Sequence, residues 1–335
     1  MKHTFYPLLG LLYLATACQP QELTVPDGPM GSARVAAGSS FAPRVRKGEV
    51  ADPTLDEISG VAASRRNPGL LWVNEDSGNP NKLYLLSENG ATRATFTLPA
   101  KTKAGQDIST RDWEDIAVGP GPSSGTWYIY LANIGDNGAN NTRFYVYRIQ
   151  EPSVSGLAAN AKVTLASSQV EQLEFEYADK PRNAETLMIH PQTRDLYIIT
   201  KEDNTSQEQN AYSSKGGIYR AAYPQSTSRT TQLGRLGAVN VLTATGGDIS
   251  PDGNEVLIQN YDKVYAWKRT SNSQSITAIL TQTSPSNPPY VADQENNATE
   301  RSGEAICWAA DGSGFYTISE KKGGTSVPIY FYKKQ

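Results

Sequence analysis

The sequence predicts an all-β fold, a five-bladed β-propeller, with six blades as the alternative count. Three observations carry this prediction. One motif recurs five times: an acidic residue opens a small-apolar strand, a Pro/Asp/Gly turn follows, and a second strand rich in aromatic residues comes next. The intervals from Glu57 to Glu114, Glu185, Asp248 and Glu304 are 57, 71, 63 and 56 residues, each with room for two further strands. Four antiparallel strands per repeat make a propeller blade. Composition agrees, with 18 Tyr and 28 Gly against 3 Met. The apolar runs are short, rich in Val, Ile, Leu and Tyr, and bounded by Gly, Pro, Asn and Asp, with no long helix-period stretch.

Taken in order, the chain begins with Lys2, an apolar run from Phe5 to Tyr13, and Leu14-Ala15-Thr16-Ala17-Cys18. A run this short reads as a signal peptide, since spanning a bilayer takes about 20 apolar residues. Small residues directly before Cys18 resemble a lipobox, which implies cleavage after residue 17 and a lipid anchor on Cys18. Gln19 rather than Asp at the next position favours the outer membrane or cell surface. Residues 18–50 are then expected to hold a tether, Pro-, Gly- and Ser-rich at its start, and a ring-closing strand, and 51–335 the propeller.

The first two strands of the copies are Glu57–Val61 with Leu70–Val73, Glu114–Val118 with Trp127–Leu131, Glu185–Ile189 with Leu196–Ile199, Asp248–Gly253 with Val256–Gln259, and Glu304–Trp308 with Phe315–Ile318. The third and fourth strands are Lys82–Leu86 and Thr92–Leu98, Phe144–Ile149 and Val170–Tyr177, Ile218–Ala221 and Thr231–Leu236, and Val264–Lys268 and Ile276–Gln282. Copy five has only Ile329–Tyr332 before the chain ends, so its outer strand is expected from Arg34–Val45.

The repeat has a chemical reading. Glu57, Glu114, Glu185 and Glu304 each lie six residues before an equivalent turn position, and in copy four that offset falls on Thr245, leaving Asp248 as the displaced alternative. Propeller geometry would gather these residues at one mouth of the channel. Like charges so gathered repel unless compensated. Oxygen ligands alone specify a hard ion, Ca²⁺ before Mg²⁺. The second strands return to the same mouth, bringing Glu75, Asp76, Asp136, Lys201, Glu202, Asp203, Asn260, Glu320, Lys321 and Lys322, with Arg111, Arg182 and Arg301 in the entering loops. Of these, Lys201, Asp203, Asn260, Glu320 and Lys321 are candidates for holding a small anionic ligand beside the metal.

Other classes are excluded by counting. Loss of Lys2 with the signal leaves 30 basic and 34 acidic residues, so nucleic acid is not an expected partner. Cys307 is the one cysteine beyond Cys18, and His190 the one histidine beyond His3, which rules out a disulfide framework and a thiolate or His-rich zinc site. Gly121-Pro-Ser-Ser-Gly125 matches a nucleophile-elbow pattern but joins two strands of one copy, so it reads as a turn. His190 and Cys307 read as structural residues.

The phrases Glu57-Ile-Ser-Gly, Trp113-Glu114-Asp-Ile-Ala, Ala184-Glu185-Thr-Leu and Gly303-Glu304-Ala-Ile resemble the repeated strands of the SdiA-regulated propeller family and are similar to the esterase-like phytase domain family. Gly247-Asp248-Ile-Ser-Pro-Asp-Gly253 resembles a phrase of their secreted bacterial relatives. The resemblance covers about residues 50–335 and implies a calcium-associated propeller with one functional face. Two functions are compatible with it: a surface module that binds a ligand or protein, and a metal-dependent hydrolase of phosphoesters or esters with Glu75, Asp76, Asp136 or Glu202 as base.

Overall fold

The computed structural model describes residues 1, 39–201, 215–289, 303–321 and 326–335. The signal segment, Cys18, Glu202, Asp203, Arg301 and Lys322 lie outside these residues. The compact unit that carries the strands runs from Arg34 to Gln335, separate from Met1–Ala33. No described helix is long and apolar enough to cross a membrane.

The strands run in chain order as β1 (Val45–Glu49), β2 (Ile58–Ala63), β3 (Leu70–Glu75), β4 (Lys82–Ser87), β5 (Thr92–Thr97), β6 (Trp113–Pro120), β7 (Trp127–Asn133), β8 (Phe144–Gln150), β9 (Ala161–Thr164), β10 (Val170–Tyr177), β11 (Ala184–Ile189), β12 (Leu196–Thr200), β13 (Gly216–Ala221), β14 (Thr231–Leu233), β15 (Arg235–Val239), β16 (Ala244–Ile249), β17 (Glu255–Asn260), β18 (Val264–Lys268), β19 (Gly303–Trp308), β20 (Gly314–Ser319) and β21 (Pro328–Lys333). They form five sheets, β2-β3-β4-β5-β9, β6-β7-β8-β10-β14, β11-β12-β13-β15, β16-β17-β18 and β19-β20-β21-β1. The innermost strands β2, β6, β11, β16 and β19 each touch the next, and β19 touches β2, so the ring closes with five blades.

Five buried clusters fill the junctions between successive blades. Trp72 with Ile116 and Tyr147 joins blades 1 and 2, Tyr130 with Leu187 and Tyr219 blades 2 and 3, and Met188 with Ile258 and Trp267 blades 3 and 4. Leu257 with Ile306 and Trp308 joins blades 4 and 5, and Val61 with Cys307 and Ile318 closes blade 5 on blade 1. Each large side chain so buried contributes about 1.5–3 kcal/mol of transfer free energy. Close approach of blades 1 and 2 requires Gly60, since a Cβ there would lie 2.7 Å from the Ile116 nitrogen.

Three details differ from the sequence expectation. The ring-closing strand does come from the N-terminal side, antiparallel to β21, but it is Val45–Glu49 rather than Arg34–Val45. Phe41 instead packs its ring on Trp308 and Phe315, at 5.9 and 5.0 Å between centroids. The segment Thr231–Leu236 is cut at Gly234. Its first half, β14, runs parallel to β10 on blade 2, and its continuation, β15, is the outer strand of blade 3. Ile276–Gln282 is an α-helix (α1), not a strand. Ser275 caps it by accepting the Ala278 N–H, and Ile276, Ile279 and Leu280 bury in the cluster between blades 3 and 4. The long interval between Glu114 and Glu185 hides no sixth blade, because its extra strand β9 runs parallel to β5 on the rim of blade 1.

Candidate functional site

Each innermost strand is irregular at its mouth end. Pairing with the second strand skips one residue in every blade: Ser59, Glu114, Glu185, Thr245 and Glu304. Such a bulge kinks the strand and re-aims one side chain. The five residues are equivalent, and all are buried. Three glutamates therefore occupy the expected ring position. Glu57 does not: it lies two residues earlier, is exposed, and its Oε2 accepts an Asn79 side-chain N–H at 2.7 Å. Ser59 takes its place, donating through Oγ to the Glu114 carbonyl at 2.5 Å. Blade 4 contributes Thr245, whose hydroxyl donates to the Gly303 carbonyl at 2.7 Å. Asp248 sits farther along the same strand, half-buried, with Oδ2 accepting the Trp308 N–H at 2.9 Å and Oδ1 its neighbour Ile249 N–H at 2.8 Å. Asp248 is thus a fastening between blades 4 and 5 rather than a mouth ligand.

The tightest acidic group spans blades 1 and 2. One carboxylate oxygen each from Asp76, Asp112 and Glu114 lie within 4.8 Å of one another. Asp76 follows β3, whereas Asp112 and Glu114 flank Trp113 at the start of β6. Gly135 forms the wall behind the pair from blade 2: a Cβ there would overlap Glu114 Oε1 and stand 2.5 Å from Asp112 Oδ2. Burial pushes the Glu114 carboxyl well above the ordinary glutamate range, and Glu185, Asp76, Asp112 and Glu304 push it further. Asp112 is raised by burial and by Asp76, against a hydrogen bond from Ser77 and the charge of Arg111.

Glu185 is the third member of the ring. Burial raises it to about 7 even though Lys201 donates to its Oε1. Its other oxygen, Oε2, is buried without a hydrogen-bond partner. Burial works against the Lys201 ammonium, but Glu185 and Tyr261 outweigh it and raise the lysine above its usual value. Lys201 also lies 5.2 Å from the Tyr261 ring centroid. Burial, Glu304 and Glu185 in turn push the Tyr261 hydroxyl up.

The remaining candidates are engaged elsewhere. Glu75 is buried in blade 1, raised to about 7 by burial against a hydrogen bond with Tyr84, with Asp56 and Glu57 adding to the rise. Asp136 caps its own turn, Oδ2 accepting the Asn141 N–H at 2.6 Å. Asn260 likewise closes a turn, its Oδ1 accepting the N–H groups of Asp262 and Lys263 at 3.0 and 2.8 Å. Glu320 is buried, and the Lys321 N–H donates to the Asp56 carbonyl at 2.8 Å, tying blade 5 to blade 1. His190 sits in the far-face hairpin, Nδ1 accepting from Gln192 and Thr193, both at 3.2 Å. Burial raises the Cys307 thiol well above its ordinary value, as for a packing residue. Ser123 lies in a turn between β6 and β7, its Oγ accepting the Tyr128 hydroxyl at 3.1 Å.

Asp112 was not among the expected ligands. The signal was its spacing: Asp112 and Glu114 are two residues apart at a strand start, where alternate residues share a face.

No family model and no curated protein matches the sequence. Among solved structures the chain is similar to a chain in the crystal structure of a mitotic checkpoint complex, at 10% identity and a TM-score of 0.39, over 98% of this chain and 100% of that one. The propeller that the motif resemblance implies is the fold observed.

Proposed function

We propose that this propeller is a cation-dependent binding module of the kind its motif resemblance implies, with one divalent ion, Ca²⁺ in preference to Mg²⁺, at the acidic mouth. The observation that supports this is the convergence of Asp76, Asp112 and Glu114 from two blades. Oxygens bound to one Ca²⁺ at about 2.3–2.6 Å stand up to about 5 Å apart, and the three carboxylates fall inside that span. Their chemistry also fits, because a hard cation prefers oxygen donors and relieves the repulsion that raises Glu114 and Asp112. The unpartnered Glu185 Oε2 supplies a further buried oxygen at the same mouth. The protein residues hold and orient the ion, and Lys201, bonded to Glu185, keeps a compensating positive charge at the mouth. The ion and Lys201 together would receive an anionic group of a small ligand or partner protein. Export and a lipid on Cys18 would hold the module at the outer membrane or cell surface.

Calorimetric titration with Ca²⁺ and with Mg²⁺ tests the ion. The expected result is one calcium per chain, lost in Asp112→Asn and in Glu114→Gln and kept in Glu57→Gln, since Glu57 faces solvent. Equal effects of all three substitutions, or no binding by the parent chain, would sink the proposal. Palmitate labelling that survives Cys18→Ser would remove the anchor.

A further inference from the structure

The face opposite the mouth carries a local excess of cations at one place. At the lower edge of blade 2 an open cavity of about 340 Å³ lies between the β2–β3 hairpin, the end of β8 and the start of β10. That is within the size range of small-ligand sites, roughly 300–1,000 Å³. Three cations line it, Arg66, Lys103 and Arg148, against two carboxylates, Glu151 and Glu171.

Both carboxylates are already occupied. Glu151 is buried, with Oε1 accepting from Ser64 Oγ and from Trp72 Nε1 at 2.9 Å, and Oε2 from the Arg66 backbone N–H at 3.0 Å. Its charge is used inside the fold, holding the hairpin of blade 1 to the end of β8. Glu171 Oε2 accepts two bonds from Arg148, from Nε at 2.9 Å and Nη2 at 2.7 Å. Lys103 stands off at 3.9 Å from Glu171 Oε1 and is well exposed. The Arg66 guanidinium has no hydrogen-bond or ion-pair partner among the described residues, though its backbone is fixed by Glu151. The cavity therefore has a floor of buried, oriented Arg148 and a rim of two cations without close partners.

We infer that this cavity binds a small polar anion, a carboxylate or phosphate group, between Arg66 and Lys103. Guanidinium groups suit planar or tetrahedral oxoanions through paired N–H donors. Apart from Tyr128 and Pro152 the rest of the lining, including Gln150, Ser153 and Ser168, is polar, so the group carrying the charge is expected to be hydrophilic. A neighbouring cleft between blades 5 and 1 does not share this character, because its Lys47 is paired with Glu88 at 3.0 Å.

The test is titration of the purified chain, in metal-depleted buffer, with inorganic phosphate, with glucuronate and with uncharged glucose. Saturable binding of phosphate or glucuronate is expected, weakened by about tenfold or more in Arg66→Gln/Lys103→Gln. Binding of phosphate alone identifies a free oxoanion as the ligand class, and binding of glucuronate alone a sugar acid. Affinity unchanged in Asp112→Asn separates this site from the cation at the mouth. No saturable binding of either anion, binding that the double substitution leaves intact, or glucose binding as tightly as glucuronate would overturn the assignment. Both substituted side chains are exposed, so the variant is expected to fold, which its melting temperature checks.

Discussion

The Asp248 carboxylate accepts the backbone N–H of Trp308 at 2.9 Å across the junction of blades 4 and 5. Asp115 repeats the device between blades 2 and 3, its Oδ2 accepting the Leu187 N–H at 2.8 Å. Burial raises Asp248 to about 6 and Asp115 well above the ordinary aspartate range, in spite of the N–H bonds both accept.

A pH dependence of unusual sign follows. A carboxyl raised in the folded state contributes stability that is present below its unfolded pKa and is lost as pH rises through its folded pKa. Asp115, Asp248, Glu75, Glu114 and Glu185 all act in this direction. Asp311, lowered by its Ser313 hydrogen bonds, acts in the opposite sense, but only as pH falls below the ordinary aspartate value of 3.8. His190, lowered by burial and Arg269, opposes the trend as a single group. The metal-free protein should therefore melt highest near the ordinary carboxylate values, at about pH 4, and lose stability as pH rises toward 8. Scanning calorimetry in chelator checks this, and a maximum at pH 7 or above would contradict it.

Protons and a cation compete for the mouth. Burial raises Glu114 well above the ordinary range and Glu185 to about 7, so both take up protons at a higher pH than an ordinary glutamate. Calcium binding at pH 7 should release protons, and apparent affinity should fall as pH drops from 8 to 6. Titration in two buffers of different ionisation enthalpy reads the released protons directly. Heats independent of buffer would count against the mouth as the site.

Gly135→Ala is the least intrusive way to disturb the cluster. The added methyl meets the Glu114 and Asp112 carboxylates rather than the core. Calcium affinity should fall by about tenfold or more, while far-UV circular dichroism stays unchanged. Overpacking of this kind costs typically about 1–3 kcal/mol. Unaltered affinity would mean that the ion does not sit against Gly135.

Lys201→Gln separates the internal cation from the bound one. Removing one partner of a mostly buried pair costs about 3–5 kcal/mol, because Glu185 is left desolvated and uncompensated. The metal-free variant should melt well below the parent chain, bind calcium more tightly, and recover much of the loss when saturated with it. A variant as stable as the parent would show that Glu185 does not need the ammonium.

The ring was legible because four of its members share one offset from a turn, and the bulge that aims them recurs at that offset. Thr245 was found by the same count although it is not acidic. Glu57 misled because its acidic identity stood in for register: in blade 1 the bulge falls on Ser59, where no carboxylate marks it. Asp248 misled for a related reason, since its charge serves a junction and not the mouth. Ile276–Gln282 has an apolar content that suits a strand as well as a helix, and Ser275 at its start was the discriminating signal. The edge strand β9 was not read, and β14 was read only as the first half of a blade 3 strand, because a strand's own residues do not say which blade it pairs with.

Those two edge strands bear on the order in which the chain can fold. Residues of β9 complete blade 1 after the first three strands of blade 2 have been made, and β14 completes blade 2 after the first three strands of blade 3. Blades 1 and 2 are each finished by a strand made after most of the next blade, so neither is sealed before its successor is under way. Among the described strands β1 waits longest, since its partner β21 is the last of them in chain order, and its edge stays open until Pro328–Lys333 has been made. A chain released a few residues short of Pro328 would carry nearly all of its core and still expose two hydrogen-bonding edges, the kind of surface that pairs with a second copy.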